Sequence, residues 1–343
     1  MEDFNELIQT ANQTFLANFP NKTHFERAIF FSWSCNINDC KYCYMSTKPK
    51  AKDRNVRRSL PSILAEALLS KKFGWPIGFL SGGVGAFSHE ELLNILKNIY
   101  EVVKEKVWIN IGTVSESQLK DYSQYIKGVI GTVECVNPKV HDFVCPSKPY
   151  KPIENMFENA IKLGLKTGMT LIVGLGETKE DFPLLVEWVK KYNMEKIHMY
   201  SLNPVNGTYF ENAISPDENY HAWWIAQTRI AFPKIDLQAG IWTDKLNRIP
   251  LLLKAGANSI SKFPALKVFG TKLGEEFENK AKESGREFEG TMTVLPKIDW
   301  DVEINQLNFP EELKAKVRLK LGEYLNRMEK NLKRAEIVIS YGE

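Results

Sequence analysis

Eight short apolar runs, rich in β-branched and aromatic residues, alternate along the chain with segments of helical periodicity. The runs lie at 28–31, 77–80, 107–111, 128–133, 170–173, 196–200, 234–237 and 257–260. Runs that are apolar at almost every position are typical of strands buried on both faces of a parallel sheet. The intervening segments carry helix signals, such as the capping box that begins at Ser88 and ends at Glu91. The pattern predicts an α/β protein with parallel strands.

The number of strands bears on the architecture. Eight βα units that close on themselves form a (βα)₈ TIM-type barrel, and the stretch 25–270 has the usual length for one. An open, doubly wound sheet is the alternative, although eight strands are many for an open sheet of this length. We predict a barrel at 25–270, an N-terminal helical segment at 1–24, and a C-terminal extension at 271–343 with a helix near 310–335.

Composition and charge exclude several classes of protein. The chain has 343 residues, of which 43% are hydrophobic, and it is therefore too apolar for a disordered protein. Its 45 Lys and Arg nearly balance 42 Asp and Glu, so neither nucleic acid nor a membrane surface is indicated as a partner. No apolar run reaches the roughly 18 residues needed to span a bilayer. The acidic N-terminus lacks a signal-peptide pattern. We expect a soluble cytoplasmic protein.

Three of the five cysteines, Cys35, Cys40 and Cys43, fall within nine residues just after the first predicted strand. Barrel enzymes carry their catalytic groups in the loops beyond the carboxyl ends of the strands, so these thiols occupy an active-site position. Three thiolates without a nearby fourth cysteine suit a [4Fe–4S] cluster that leaves one iron open to a small molecule. A zinc site would need a fourth ligand such as His24, which lies before the strand. Inert thiols are the remaining alternative.

The cysteine segment resembles the signature of the radical S-adenosylmethionine (SAM) superfamily, C-x₃-C-x₂-C with an aromatic residue before the last cysteine. Cys40-Lys41-Tyr42-Cys43 matches the second half, whereas the first gap holds four residues instead of three. Ser81-Gly82-Gly83 after the second predicted strand resembles the segment that meets the SAM amino group. Glycine there lets the main chain approach a ligand closely. Val84 stands where the superfamily has an acidic residue.

Four further segments resemble the branch of the superfamily that contains biotin synthase and HydE. They are 134–138 (ECVNP), 172–178 (IVGLGET), 203–208 (NPVNGT) and 255–260 (AGANSI), each at the end of or within a predicted strand. The glutamate of the first segment touches SAM in that branch, and a buried carboxylate does require a partner. The resemblance therefore implies cofactor contacts from one set of residues: Tyr42, Ser81, Gly82, Gly83, Glu134, Asn203 and Pro204.

The resemblance also implies a reaction. A reduced cluster cleaves SAM to methionine and a 5′-deoxyadenosyl radical, which removes a hydrogen atom from a small biosynthetic precursor. The electron would come from a reductant such as ferredoxin or flavodoxin. Asn110, Thr113 and Ser115 after the third strand are candidate substrate contacts, with capping of the next helix as the alternative. Cys135 is a candidate catalytic residue if it faces the cavity, and otherwise a small buried apolar group.

Narrower interpretations divide the branch. The lengthened cysteine gap is similar to that of the HmdB (HcgA) group, which is tied to the iron-guanylylpyridinol cofactor of [Fe]-hydrogenase and implies a role in forming the pyridinol ring. A methylornithine synthase-like mutase, a HydE-like maturase or a non-catalytic iron–sulfur protein are the alternatives. Sulfur insertion is not expected, since strands 77–80 and 170–173 hold no cysteine for the second cluster of biotin synthase. The branch's arginine after the fourth strand is absent, with Lys148 or Lys151 as its candidate replacement.

Overall fold

The computed structural model of the protein describes residues 3–48 and 56–340, with side chains described as far as residue 335. Its strands form one sheet with the order β10-β1-β9-β8-β7-β6-β5-β4-β3-β2, in which the paired strands run parallel. The bounds are β1 Lys22–Phe25, β2 Arg27–Phe30, β3 Ile77–Ser81, β4 Val107–Asn110, β5 Ile126–Glu134, β6 Lys166–Val173, β7 Met194–Ser201, β8 Asp236–Gly240, β9 Ser259–Ser261 and β10 Glu287–Glu289. The prediction of a TIM-type α/β fold is confirmed.

The consecutive strands β1 and β2 form the seam of the barrel. Glu26 alone separates them, and its N–H donates to the carbonyl of Ile260 in β9 at 2.8 Å. The next N–H, that of Arg27, donates to the carbonyl of Pro76 just before β3, also at 2.8 Å. Because one continuous stretch of chain contacts both β9 and the start of β3, the sheet curls round on itself. Strands β2 to β9, which are the eight predicted ones, therefore surround a common lumen.

Helices follow the strands and cover the outside of the sheet. Their bounds are α1 Phe4–Asn18, α2 Leu60–Lys72, α3 His89–Val103, α4 Glu116–Tyr122, α5 Pro138–Val144, α6 Tyr150–Lys162, α7 Phe182–Lys191, α8 Glu218–Ala231, α9 Ile249–Lys254, α10 Ala265–Val268, α11 Lys272–Glu283, α12 Trp300–Asn305 and α13 Glu311–Ser340. The capping box predicted for α3 is present, since Ser88 and Glu91 each bond the backbone N–H of the other. Among the described residues, none of the helices has the length and apolar character required to cross a bilayer.

The segments on either side of the predicted barrel pack onto the same core. The N-terminal segment holds α1 as expected, but its last residues form β1, whose Thr23 and Phe25 are buried. Strand β10 in the extension pairs with β1, and α13 packs against α2. Phe277 and Val317 of the extension share one hydrophobic cluster with barrel residues. The division at residues 24 and 270 stays a prediction.

Charged side chains that pair with each other fill the lower end of the lumen. The ammonium of Lys196 in β7 lies 2.7 Å from Glu26 Oε2 and 2.5 Å from Asp236 Oδ2. The Ser259 hydroxyl donates to the same Glu26 oxygen at 3.2 Å. Burial acts to lower the pKa of Lys196, but the two carboxylates outweigh it, so the pKa is raised and the lysine stays charged. We call Glu26, Lys196 and Asp236 the floor cluster.

Candidate active site

A cavity opens at the carboxyl ends of the strands and reaches down into the lumen, with about 1120 Å³ of empty space when its open mouth is included. It is lined by most of the residues that the sequence singles out, although they come from five separate stretches of chain. They are Cys35, Cys40, Tyr42, Cys43, Ser81, Gly82, Gly83, Asn110, Glu134 and Asn203. Loops that follow parallel strands meet at one rim, which explains why residues so distant in sequence converge. Their roles as ligands stay predictions.

The loop after β3 packs tightly against the cysteine loop. A side chain at Gly83 would place a Cβ 1.6 Å from the carbonyl oxygen of Ser34, and one at Gly82 would meet the Phe31 ring at 2.6 Å. The N–H of Val84 donates to Cys35 Sγ at 3.3 Å. We expected glycine here because it would let a ligand approach the main chain closely. In the structure, glycine is required because the cysteine loop packs against these positions. Hydrogen bonds to the sulfur are one of the means by which a protein tunes an iron–sulfur cluster.

The donor set at the rim fits a [4Fe–4S] cluster with an open corner. The three cavity cysteines are half-buried free thiols, so they can reach a cluster in the cavity. Cys145 lies behind them, buried, with its Sγ 3.8 Å from the Tyr42 hydroxyl, and it does not line the cavity. In the part of the chain that the structure describes, no three His, Cys, Asp or Glu side chains are gathered closely enough to hold a single metal ion.

Glu134 ends β5 in a left-handed backbone conformation, with φ +64°. The N–H of Cys135 donates to the carbonyl of Val133 at 2.7 Å, so Glu134 is the central residue of a three-residue turn. A left-handed conformation costs a non-glycine residue roughly 1–2 kcal/mol. Here the Glu134 side chain lines the cavity, whereas Cys135 is buried in an apolar cluster outside it. Strain that places a functional group is common at active sites.

The buried Glu134 carboxylate has two partners in the cavity wall. Lys148 Nζ lies 3.2 Å from Oε1, and the Thr170 hydroxyl donates to Oε2 at 3.2 Å. Burial acts to lower the pKa of Lys148, but the Glu134 carboxylate prevails and raises it. Each carboxylate oxygen keeps a further lone pair for a ligand. Of the two candidate replacements for the branch's arginine, Lys148 lines the cavity, whereas Lys151 is exposed in α6.

His141 in α5 connects the two ends of this arrangement. Its ring is fully buried, with Nδ1 2.8 Å from the carbonyl oxygen of Val133 and Nε2 2.7 Å from that of Lys148. Burial lowers the pKa of His141, whereas its two carbonyl contacts act to raise it. The ring lies between the residue before Glu134 and the ion-pair partner of Glu134, and its one N–H, when neutral, donates to one of the two carbonyls. Sequence reasoning missed His141, because nothing in the spacing of a lone histidine indicates a positioning role.

Four predicted site residues do not line the cavity. Cys135 is 2% exposed among apolar neighbours, and burial raises its pKa to about 12, so the expectation of a catalytic thiol there is corrected. Ser115 is exposed and caps α4 by accepting from the Gln118 N–H at 3.3 Å, which corrects its assignment to substrate. Thr113 lines a smaller neighbouring cleft. Pro204 follows Asn203 but lies outside the lining.

Sequence reasoning also missed one wall of the cavity. Its residues are Phe30, Phe79, Tyr200, Trp242 and Lys262, and most of them are aromatic. Position at the end of a predicted strand is the signal that could have found Phe30, Tyr200 and Lys262. Such a signal does not tell which side chains point inward, because that depends on the register of the finished barrel.

The comparisons with known proteins agree with this geometry. The sequence pattern of the radical SAM superfamily matches residues 30–189. An uncharacterised protein of Methanocaldococcus jannaschii is 36% identical over 348 aligned positions, covering 96% of each chain. Biotin synthase of Clostridium botulinum is 28% identical over 72% of this chain and 79% of its own. The crystal structure of methylornithine synthase (PylB) shares the fold, with a TM-score of 0.65 and 18% identity over 76% of this chain and 79% of that one.

The chain therefore belongs to the radical SAM superfamily, and within it the chain is similar in sequence to biotin synthases. Its cofactors are a [4Fe–4S] cluster and S-adenosylmethionine, and it is an enzyme.

Proposed function

We propose that this enzyme starts a radical reaction on a small biosynthetic precursor bound in the barrel lumen. The observation that carries the proposal is the continuous cavity, which joins the loop cysteines to lumen side chains such as Phe79, Thr170 and Tyr200. A ligand at the cysteine rim and a second ligand deeper in the lumen would share this space.

The bound cofactors would supply an electron and a 5′-deoxyadenosyl radical that removes a hydrogen atom from the precursor. The chain itself binds, orients and excludes water. Cys35, Cys40 and Cys43 would hold the cluster, and the backbone of Gly82 and Gly83 lies beside it at the rim. The reductant is proposed to be a ferredoxin or a flavodoxin, and the compartment the cytoplasm.

The polar residues of the rim would orient SAM. Glu134 can accept a hydrogen bond from a ribose hydroxyl or an ammonium, while Lys148 offers a positive charge beside it. Asn203 Oδ1 already accepts from Lys245 Nζ at 3.1 Å, so the two amide N–H groups of Asn203 remain for a ligand. Tyr42 and Ser81 complete the proposed cofactor contacts.

The narrower part of the proposal is formation of the pyridinol ring of the iron-guanylylpyridinol cofactor. Two features support it. The first cysteine gap holds four residues, longer than the usual three. The lumen wall presents Phe30, Phe79, Tyr200 and Trp242, which suits a flat, unsaturated ring because aromatic faces stack on such rings.

Two experiments test these levels separately. Anaerobic reconstitution with iron and sulfide, followed by reduction in the presence of SAM, should yield 5′-deoxyadenosine. A preparation with about four irons per chain and no deoxyadenosine, with or without a cell extract as a source of substrate, would contradict the radical reaction. Isotope-labelled precursors supplied to the active enzyme should label the pyridinol ring. If SAM is cleaved but the ring stays unlabelled, the narrower role is wrong and a mutase or maturase reaction takes its place.

A further inference from the structure

The cavity contains two ammonium groups whose surroundings differ. Lys148 is paired with Glu134 at 3.2 Å. Lys262 Nζ, in contrast, faces three aromatic rings, with centroids at 5.0 Å for Tyr200, 5.4 Å for Phe30 and 5.7 Å for Trp242. Within residues 3–48 and 56–335 no carboxylate lies within 4 Å of it. An ammonium among rings gains some cation–π attraction, but Lys262 forms no ion pair, and the negative groups that act on it, Cys43 and Glu134, lie farther away.

The backbone at Lys262 is as unusual as its side chain. The residue follows β9 directly and has φ +68°, a left-handed conformation that glycine adopts without strain. Lysine at such a position costs roughly 1–2 kcal/mol relative to an unstrained residue. Strain of this kind favours a role for the side chain that it places, in the same way as at Glu134 on the opposite wall.

Two hydroxyl groups beside Lys262 also need a partner. The Tyr200 and Ser261 hydroxyls approach each other, yet neither has a hydrogen bond of good geometry among the described residues. Tyr200 lines the cavity at 8% exposure, whereas Ser261, at 3% exposure, does not line it. A buried donor without an acceptor costs roughly 1–3 kcal/mol. An acceptor brought by a ligand would recover that cost for the Tyr200 hydroxyl.

From these observations we infer that Lys262 and Tyr200 bind a carboxylate group of the substrate. The inference rests on the proposed function, because it names the chemical class of the molecule that would occupy the lumen. A carboxylate has two oxygens and about four acceptor sites, which can accept from both the ammonium and the phenol hydroxyl. The faces of Phe30 and Trp242 on either side suit a flat or apolar body attached to that group.

The charge balance favours a carboxylate over a phosphate group. One ammonium neutralises one negative charge, and a second negative charge in an apolar wall would stay uncompensated. The neighbouring Lys148 is already committed to Glu134. A dianionic phosphate ester would therefore bind here less well than a monocarboxylate of similar shape.

The test uses benzoate as the probe and benzamide as its neutral counterpart of the same shape. Equilibrium dialysis with labelled probes is done anaerobically on the reconstituted holoenzyme with SAM present. We expect wild-type enzyme to bind benzoate at least about tenfold more tightly than benzamide, as for a charge-assisted hydrogen bond. Lys262→Met should abolish this preference, and Lys262→Arg should retain part of it. Since Met keeps the same left-handed backbone demand as Lys, the substitution changes the charge alone.

Lys254→Met is the control, because it removes an exposed ammonium of α9 that does not line the cavity. We expect it to leave the benzoate preference in place. The inference is overturned if wild-type enzyme binds benzoate no better than benzamide, if it prefers phenyl phosphate, if Lys262→Met keeps the preference, or if Lys254→Met removes it.

Iron content and SAM cleavage are measured on the same samples to keep the two proposals apart. SAM cleavage without a carboxylate preference would overturn this inference and leave the proposed function standing. A carboxylate preference without SAM cleavage would overturn the proposed function and leave the carboxylate site standing. If Lys262→Met lowers iron content or SAM cleavage and leaves the probe preference intact, Lys262 acts on the cluster and the carboxylate assignment is wrong.

Discussion

The barrel holds buried charges at both ends of its lumen, and the two groups differ in how fully they are paired. In the floor cluster, Lys196 lies between two carboxylates, those of Glu26 and Asp236. At the rim, Glu134 has Lys148 and Thr170 as partners, but Lys262 forms no ion pair within 4 Å in the described residues. Buried charges that are paired within the chain hold the fold together. Buried charges that lack a partner indicate where a ligand binds.

The thiols also form two groups, one at the rim of the cavity and one buried outside it. Substitution of a rim thiol is expected to have the largest effect on activity. Cys40→Ala should eliminate cluster binding and reduce SAM cleavage to the background of the assay, because a cluster with two remaining thiolates is not retained. Cys135→Ala, which removes a buried thiol outside the cavity, is the control and should keep both. Iron analysis and deoxyadenosine formation measure the two variants. Loss of iron from the Cys135 variant would break the distinction between rim and interior thiols.

Lys196→Met tests whether the floor cluster serves stability. It leaves Glu26 buried without a counter-charge, and breaking a buried ion pair in this way costs about 3–5 kcal/mol. Urea unfolding should show that loss, while SAM affinity of the folded fraction stays unchanged. An unchanged unfolding midpoint would show that the floor charges do not support the fold.

Glu134→Gln tests the rim by the same logic. The substitution keeps the shape but removes the charge, and we expect SAM to bind about 10- to 100-fold more weakly, the equivalent of one charge-assisted hydrogen bond. Glu26→Gln is the matched variant in the floor, where stability should fall and SAM affinity should not. Equilibrium dialysis with labelled SAM measures the SAM affinity of both variants. Equal losses of affinity in the two variants would contradict the contrast between rim and floor.

Ser115→Ala should have the smallest effect. The substitution removes the cap of α4 and should lower the free energy of unfolding by about 1 kcal/mol, with turnover unchanged. Asn110→Ala, at the cavity lining, is the counterpart and should impair turnover more than stability. A turnover defect in the Ser115 variant would return this residue to the substrate site.

The sequence predicted the strands whose structure follows from a local pattern of residues. The eight apolar runs correspond to β2–β9, since each strand buried on both faces must be apolar at nearly every position. Strands β1 and β10 escaped notice because their sequences, KTHF and EFE, contain polar residues at most positions and form no apolar run. Their pairing supplies the seam, which only the folded sheet defines.

The site was predictable only in part, for a similar reason. Motifs close in sequence identified the cysteine loop, Gly82, Gly83 and Glu134. Lys148 was one of two candidates that the sequence could not separate, and Lys262 was not found, because their positions depend on the turn at the end of β5 and on the left-handed residue after β9. Cys135 and Glu134 are adjacent in sequence, and the turn between them sends one out of the cavity and the other into it.

The account depends most on a cluster with three thiolate ligands and one iron free to bind SAM. Electron paramagnetic resonance of the reduced, reconstituted enzyme tests this directly, with and without SAM. We predict that SAM changes the spectrum of the cluster, and that it does so equally in a Cys145→Ala variant. A spectrum that is indifferent to SAM in the wild-type enzyme, and that becomes responsive only when Cys145 is removed, would show that a fourth thiolate occupies the open corner.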